Sequence, residues 1–547
     1  MKKWTLGRSP DGGGRAGTLL ALALLAGALG TGCGTESGRT AGTGLMVAVE
    51  AEPECLDPQV SPMDVTALVD RNIFDSLVDI TPDGTVHPWL ADRWTVSKDG
   101  LTYTFHLRAG VTFHDGTPVN AAAVKATLDH AVDPATKSNY AAGLIKGYTG
   151  ARAVDEHTVR ITLSRPNAAF MQALSTAYLG IQSPRSIREN KGRLCTNPVG
   201  SGPFRFTGWA KGREITLQKF QRYAWGPASA QHTGPARIDG VTVSFIAENS
   251  VRYGALASGQ ADVIDAVPPE RVKSLKSEED LRYQRFEAPG GVYALFLNTE
   301  GGPLADERVR QALRSSVDAG ALVRAVYFGQ YRRAWSPLSP STPGYEPKTQ
   351  DSWAYDPGRA GRLLDEAGWT GRDDDGYRTK DGRTLTLRWP ATASLQAAQR
   401  NSLAQGIQAQ AKQAGIKIDY ATKDVGTYTT EVLERRLDIY ASSNIRADAD
   451  ILRTNFASDQ KPLQGGGNIF HAADRRLDGW LNGGSTALDK ESRAVEYRAA
   501  QRYLVDRSFV IPMYVPAHLV GSSGRVRGIT ADGQAYPRFY DVTLEER

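Results

Sequence analysis

The chain has 547 residues, 41% hydrophobic and 8% aromatic, a globular composition too long for a single core, so two or three domains are expected. Formal charge is +5, but Lys2, Lys3, Arg8 and Arg15 against Asp11 supply +3 of it, leaving about +2 beyond residue 32. No basic run carries interleaved aromatics and no zinc-finger spacing occurs, so nothing here supports nucleic-acid binding.

In chain order, Lys2 and Lys3 open a positive segment, and Thr18 to Leu29 (TLLALALLAGAL) is an apolar run of twelve residues. That run is too short for a helix to cross a bilayer core of roughly 30 Å. It suits a signal peptide over residues 1–32, followed by a Gly/Ser/Thr-rich flexible tether over 33–44. No later stretch is long and apolar enough to span a membrane. Leu101, Tyr103, Phe105 and Leu107 alternate with polar residues, the period of a half-buried strand. Val111 and Phe113 begin a second predicted strand that ends in an Asp115-Gly116 turn. Asn120 then caps a helix with the stripe Val124, Leu128 and Val132.

Further on, Asn197 to Phe206 (NPVGSGPFRF) lacks the Lys-Ser/Thr end of a phosphate loop and reads as a tight turn with close backbone packing. Tyr293 to Thr299 (YALFLNT) is a strand suited to a sheet covered on both faces. Asp306, Asp318 and Asp356 are N-cap candidates, the last with Pro357 in the first turn. Asp381-Gly382 followed by alternating Leu385, Leu387 and Trp389 predicts a hairpin. Alternating strand and helix signals over this length argue for α/β lobes.

The run Leu101 to Asp129 (LTYTFHLRAGVTFHDGTPVNAAAVKATLD), preceded by ADRWTVSKDG, resembles the signature of the family 5 solute-binding proteins of ABC importers, the oligopeptide, dipeptide and nickel binders. Ala48 to Pro58, Arg71 to Val78, Asn197 to Phe206, Val251 to Asp265 and Tyr497 to Val520 resemble further parts of the same family, so the likeness spans nearly the whole mature chain. The resemblance implies a two-lobed α/β fold of the periplasmic-binding-protein type II class with an extra domain inserted in the first lobe. By matching segments, lobe one comprises residues 45–82, 197–286 and 517–547, the inserted domain 83–196, and lobe two 287–516. It further implies a non-catalytic receptor that closes its cleft on a peptide or peptide-like solute and delivers it to a permease and ATPase complex. A monomer without cofactor is expected, outside the cytoplasm. A receptor for a metal chelate, such as a nickel complex, is the alternative within the family.

The resemblance also nominates residues. Cys33 stands where a bacterial lipoprotein carries its lipid-modified cysteine, which would anchor the chain to the outer face of the cell membrane, although Gly30 replaces the usual large aliphatic. Cys55 and Cys195 then remain, an even pair in an exported chain, read either as one disulfide or as two buried thiols. Peptide-binding relatives pair an aspartate of a Trp-x-Ala-Asp-Tyr segment with the ligand's amino terminus. Here the run is Ser443 to Leu452 (SNIRADADIL), in which Asp448 matches the aspartate and Ile445 and Ala449 replace the aromatics. The other reading of this run is a local ion pair between Arg446 and Asp450. Arg400 lies near where relatives place an arginine for a ligand carboxylate. His471 is the one histidine suited to meeting a chelated metal in the cleft. No Cys/His cluster accompanies it, so direct metal capture is not expected. A secreted hydrolase is the rival class, but the chain has no Gly-x-Ser-x-Gly, His-Glu-x-x-His or Ser-x-x-Lys motif, and Ser201 has no recognisable base.

Overall fold

The computed structural model describes residues 44–546 except positions 82, 139, 191, 393–397, 463–465 and 471. Cys33, with the signal and most of the tether, and His471 therefore lie outside the described residues. No described helix is long and apolar enough to cross a membrane.

Two sheets organise the molecule, one per lobe. The first has seven strands, in the order Leu281–Glu287, Ala517–Ser523, Val263–Ile264, Gly44–Val49, Gly240–Phe245, Glu214–Lys219 and Phe204–Ala210. Gly44–Val49 runs parallel to both of its neighbours, and the other pairings are antiparallel. Such a central strand is buried on both faces, and Leu45, Val47, Ala48 and Val49 are each at most 2% exposed. The second sheet is antiparallel, ordered Arg332–Arg333, Val510–Val515, Gly290–Leu297 and Ile439–Ile445. Every residue of Gly290–Leu297 is buried, as its unbroken apolar run requires.

The chain crosses between the sheets twice, and the crossings lie side by side. One joins Glu287 to Gly290, the other Val515 to Ala517, and Ala288 N–H donates to Pro516 O at 2.9 Å. Gly290 has φ +94°, and a Cβ there would sit 2.4 Å from Arg446 N, so only glycine lets the strand turn out of the crossing.

A smaller antiparallel sheet, ordered Ala91–Val96, Thr102–Leu107, Thr158–Leu163 and Tyr148–Ala153, forms the part inserted into lobe one. Tyr103, Phe105 and Leu107 face its core, and the Asn120 side chain accepts from Ala123 N at the start of helix Ala121–Val132. The stripe of that helix is shorter than predicted: Val124 and Leu128 are buried, whereas Val132 at its last turn is 40% exposed. The strand expected from Val111 is absent. Pro118 has no N–H for a ladder, and only the bridge Thr112–Pro118 forms around the Asp115-Gly116 turn.

In lobe two the Asp306, Asp318 and Asp356 side chains each accept from a first-turn amide, and Pro357 opens its helix. The predicted hairpin is tight and short. Arg378–Lys380 pairs with Arg383–Thr384 around Asp381 and Gly382, both at positive φ (51° and 72°). The alternating Leu385–Trp389 run does not fold back on it. Strand Thr386–Thr392 instead pairs in parallel with Lys417–Lys423, burying Trp389 to 1% exposure.

Close packing explains the glycines of the NPVGSGPF turn, since a Cβ on Gly200 would lie 2.0 Å from Ile73 O. Between them Ser201 Oγ donates to the buried Asp75 at 2.8 Å, which also accepts from Tyr223 and Trp225. This serine belongs to a structural network around a carboxylate.

Cys55 and Cys195 are joined as a disulfide across a separation of 140 residues, with Leu56 N–H donating to Cys195 O at 2.9 Å beside it. A cross-link closing so long a loop restricts the unfolded chain, and its loss typically costs about 2–5 kcal/mol. Non-reducing peptide mapping should recover one linked pair. The Cys55→Ser/Cys195→Ser protein should unfold at markedly lower denaturant, and an unchanged midpoint would deny the bridge a stabilising role.

Candidate functional site

Between the two sheets lies a cleft of about 550 Å³. Its lobe-one wall is built from the C-terminal ends of three parallel strands: residues 49–51 after the first strand, 247–249 after Gly240–Phe245, and 265–269 after Val263–Ile264. That edge of a parallel sheet is where connecting loops diverge and leave room for a ligand. The lobe-two wall carries Tyr327, Tyr331, Arg400, Ser443 and Tyr514, and the crossing strand adds Pro516 and His518. A cavity beside Trp89 and Tyr223 measures only about 70 Å³, too small for a peptide.

Arg252 holds the lobe-one loops together. Its buried guanidinium donates to the carbonyls of Ile246 (2.7 Å), Asp265 (3.1 Å) and Ala266 (2.8 Å) and to Asn249 Oδ1 (2.7 Å). Its charge also acts on the cleft carboxylates Glu50, Asp265 and Glu248. Asp265 accepts from Ala266 N at 2.9 Å and faces His518 Nδ1 at 3.0 Å. Burial works against the imidazolium, but the Asp265 carboxylate outweighs it and raises His518 to about 9. Asp64, the first residue of helix Asp64–Asp70, accepts from the Tyr536 hydroxyl at 2.5 Å.

On the opposite wall Arg400 stacks over the Tyr293 ring, 5.2 Å from its centroid, and hydrogen-bonds with the Tyr514 hydroxyl. Tyr293 and Tyr514 are themselves stacked at 4.7 Å, and Tyr327 lies at the same distance from both Tyr331 and Tyr514. Tyr293 meets the guanidinium by cation–π contact, and Tyr514, Tyr327 and Tyr331 form a connected ring cluster beside that pair.

Asp448 and Arg446 are placed elsewhere. Asp448 is 5% exposed and accepts a bidentate pair from Arg493, with Nη1 at 2.7 Å and Nη2 at 2.5 Å. Asp450 accepts from Arg453 at 2.9 and 3.0 Å and from Tyr497 at 2.8 Å, and Arg446 Nη2 stands 3.6 Å from it. The sequence expectation set Asp448 against a ligand ammonium with Arg446 at its border; in this structure both are engaged within lobe two, and neither residue lines the cleft. The partner, Arg493, comes from helix Lys490–Asp506, too distant in sequence for any local pattern to reveal. Arg400 does line the cleft. Glu50, Asp265, His518 and the tyrosines were not singled out from sequence. The signal available for Glu50 was its position directly after an apolar strand, MVAVE. Among the described residues no group of three or more His, Cys, Asp or Glu is arranged to hold a metal.

Breaking a buried pair leaves a charge without its partner and costs about 3–5 kcal/mol. Asp448→Ala should therefore lower the stability of the ligand-free protein by about that much in chemical denaturation, and Arg493→Ala should do likewise. An Asp448→Ala protein as stable as the wild type but impaired in binding would restore the ligand-facing role.

His518 gives the stability a pH dependence of definite sign. Its folded value is raised from 6.5 to about 9, so its stabilisation is complete below pH 6.5 and is lost as pH rises through about 9. Thermal midpoints measured from pH 6 to 10 should fall more steeply for wild type than for His518→Gln. Parallel curves would show that the pair contributes nothing.

With this geometry the comparisons with known proteins agree. Residues 85–460 match the family described as bacterial extracellular solute-binding proteins, family 5 Middle. The chain is 29% identical over 513 residues to the glutathione-binding protein GsiB of Escherichia coli O1:K1 / APEC, covering 92% of this chain and 94% of that protein. Its structure is similar to the periplasmic binding protein AgaA of A. tumefaciens R10 solved with agropinic acid (TM-score 0.77, 26% identity, 92% of this chain and 99% of that one). It is also similar to DppA of Helicobacter pylori solved with the peptide STSA (TM-score 0.77, 25% identity, 92% and 98% covered). The chain belongs to the family 5 bacterial extracellular solute-binding proteins, and its fold is their two-lobed α/β type.

Proposed function

We propose that this protein is the extracytoplasmic, lipid-anchored receptor of an ABC importer, closing on a small peptide or peptide-like solute and presenting it to the permease. The observation that carries the reading is the charge arrangement of the cleft: carboxylates at the ends of the parallel strands face Arg400 in its tyrosine surround. A zwitterionic solute bridges two such walls, and contacts made with both lobes at once stabilise the closed state over the open one. The names of the relatives, a glutathione binder and a protein solved with a tetrapeptide, point to the same ligand chemistry. Cys33 is the attachment point for the anchor.

In this reading Arg400 takes the solute's carboxylate. A hydrogen bond to a charged partner contributes about 1.5–3 kcal/mol. Native mass spectrometry of the protein as purified should show a retained small solute, and calorimetry should show that solute binding Arg400→Gln about 10- to 100-fold more weakly. Equal affinity in the variant would remove Arg400 from the site. Chemical conversion of the solute on incubation would replace the receptor reading with a hydrolase.

A further inference from the structure

We propose that Glu50 is the seat of the solute's ammonium group, so that the cleft selects solutes with a free amino group and reads it from lobe one. The inference rests on the receptor reading above and adds the residue and the chemical class it recognises.

The argument is one of occupancy. Four carboxylates line the cleft: Glu50, Asp64, Glu248 and Asp265. Asp265 is held by His518 and by the Ala266 amide. Glu248 caps its own helix, accepting from the Ser250 amide at 3.2 Å and the Ser250 hydroxyl at 2.9 Å. Asp64 has one oxygen engaged by the Tyr536 and Tyr178 hydroxyls. Glu50 is exposed to the cleft and makes no hydrogen bond or ion pair among the described residues. It alone among the four offers both oxygens.

The carboxylate of lobe two that sequence pattern would nominate, Asp448, is closed off by its two bonds to Arg493. An ammonium entering the site thus meets no open acid there and an open one on lobe one. The position of Glu50 suits the task. Its backbone is fixed at the end of the central strand, where Ile246 N–H donates to Val49 O at 2.8 Å. Glu50 lines the same cleft as Tyr331 and Arg400 of lobe two. A charge-assisted bond across that gap ties the lobes together only when the solute carries both groups.

The test uses the full mature chain, freed of co-purified ligand, with tri-alanine, seryl-leucine and glutathione as probes. Each is paired with its N-acetyl form, and binding is followed by calorimetry. For whichever probe binds wild type, acetylation should weaken binding at least tenfold, and Glu50→Gln should weaken the free-amine probe by a similar factor. The acetylated probe should bind wild type and Glu50→Gln about equally, since both changes delete the same contact. A control variant outside the cleft, Glu189→Gln, should retain wild-type affinity. If the free-amine probe binds wild type and Glu50→Gln equally, Glu50 is not the seat and the receptor reading stands. If acetylation and Glu50→Gln each weaken binding but their effects multiply, Glu50 acts on something other than the amino group, and the proposal is again overturned. If none of the probes binds wild type, the peptide reading falls and this inference falls with it.

Discussion

The parallel pairing of one central strand is the constraint from which the site follows. Gly44–Val49 hydrogen-bonds in the same direction to Gly240–Phe245 and to Val263–Ile264, so three chain segments leave the sheet at one edge. Parallel neighbours cannot be joined by tight hairpins, and the long connections they need must diverge. The gap so created is floored by Arg252, whose guanidinium bonds the carbonyls of two of the diverging loops. Glu50, Glu248 and Asp265 stand on that edge, and Asp64 joins them from the start of helix Asp64–Asp70.

Lobe two answers with a different chemistry. Its sheet is antiparallel and its cleft face is aromatic, with Tyr327, Tyr331 and Tyr514 lining it beside Arg400 and Tyr293 buried behind them. A guanidinium is tolerated in so apolar a setting because ring faces and a hydroxyl replace part of its hydration. The two lobes are joined by paired extended crossings and touch beside them, the Tyr331 hydroxyl donating to Ala517 O at 3.3 Å and Gln534 Nε2 to Ile445 O at 3.4 Å. Bending there changes few contacts within either core, whereas a solute held by both walls adds contacts that exist only when they are close. His518 stands on the crossing strand and pairs with Asp265 of the lobe-one wall, so the hinge and the binding edge share an ion pair.

Local physics was legible in the sequence where a single element decides the outcome. The alternation at Tyr103, Phe105 and Leu107, the caps at Asn120, Asp306, Asp318 and Asp356, and the buried run Gly290–Leu297 needed only their neighbours to be read. The resemblance supplied the two-lobed fold class. What escaped was decided by partners far along the chain. Trp389 alternates as a hairpin strand would, yet its partner is a parallel strand on the far side of a helix. Asp448 sits in a family-like motif, yet Arg493 reaches it from 45 positions away. Glu50 was passed over because a glutamate after a strand is unremarkable until the strand is known to be the parallel centre of its sheet.

The placement of the last strand has a consequence for how the chain acquires its shape as it emerges. Ala517–Ser523 lies between Leu281–Glu287 and Val263–Ile264, so the first lobe's sheet lacks an internal member until almost the whole polypeptide is out. During synthesis and export the N-terminal half must therefore wait, with the edge of Val263–Ile264 unpaired and open to other strands. The Cys55–Cys195 disulfide offers a way to wait safely. Both cysteines precede that missing strand by several hundred residues, and the region between them holds the complete sheet of the inserted part. A folded, cross-linked N-terminal nucleus can stand ready while the second lobe folds, and the returning strand then closes the gap as the final act of assembly.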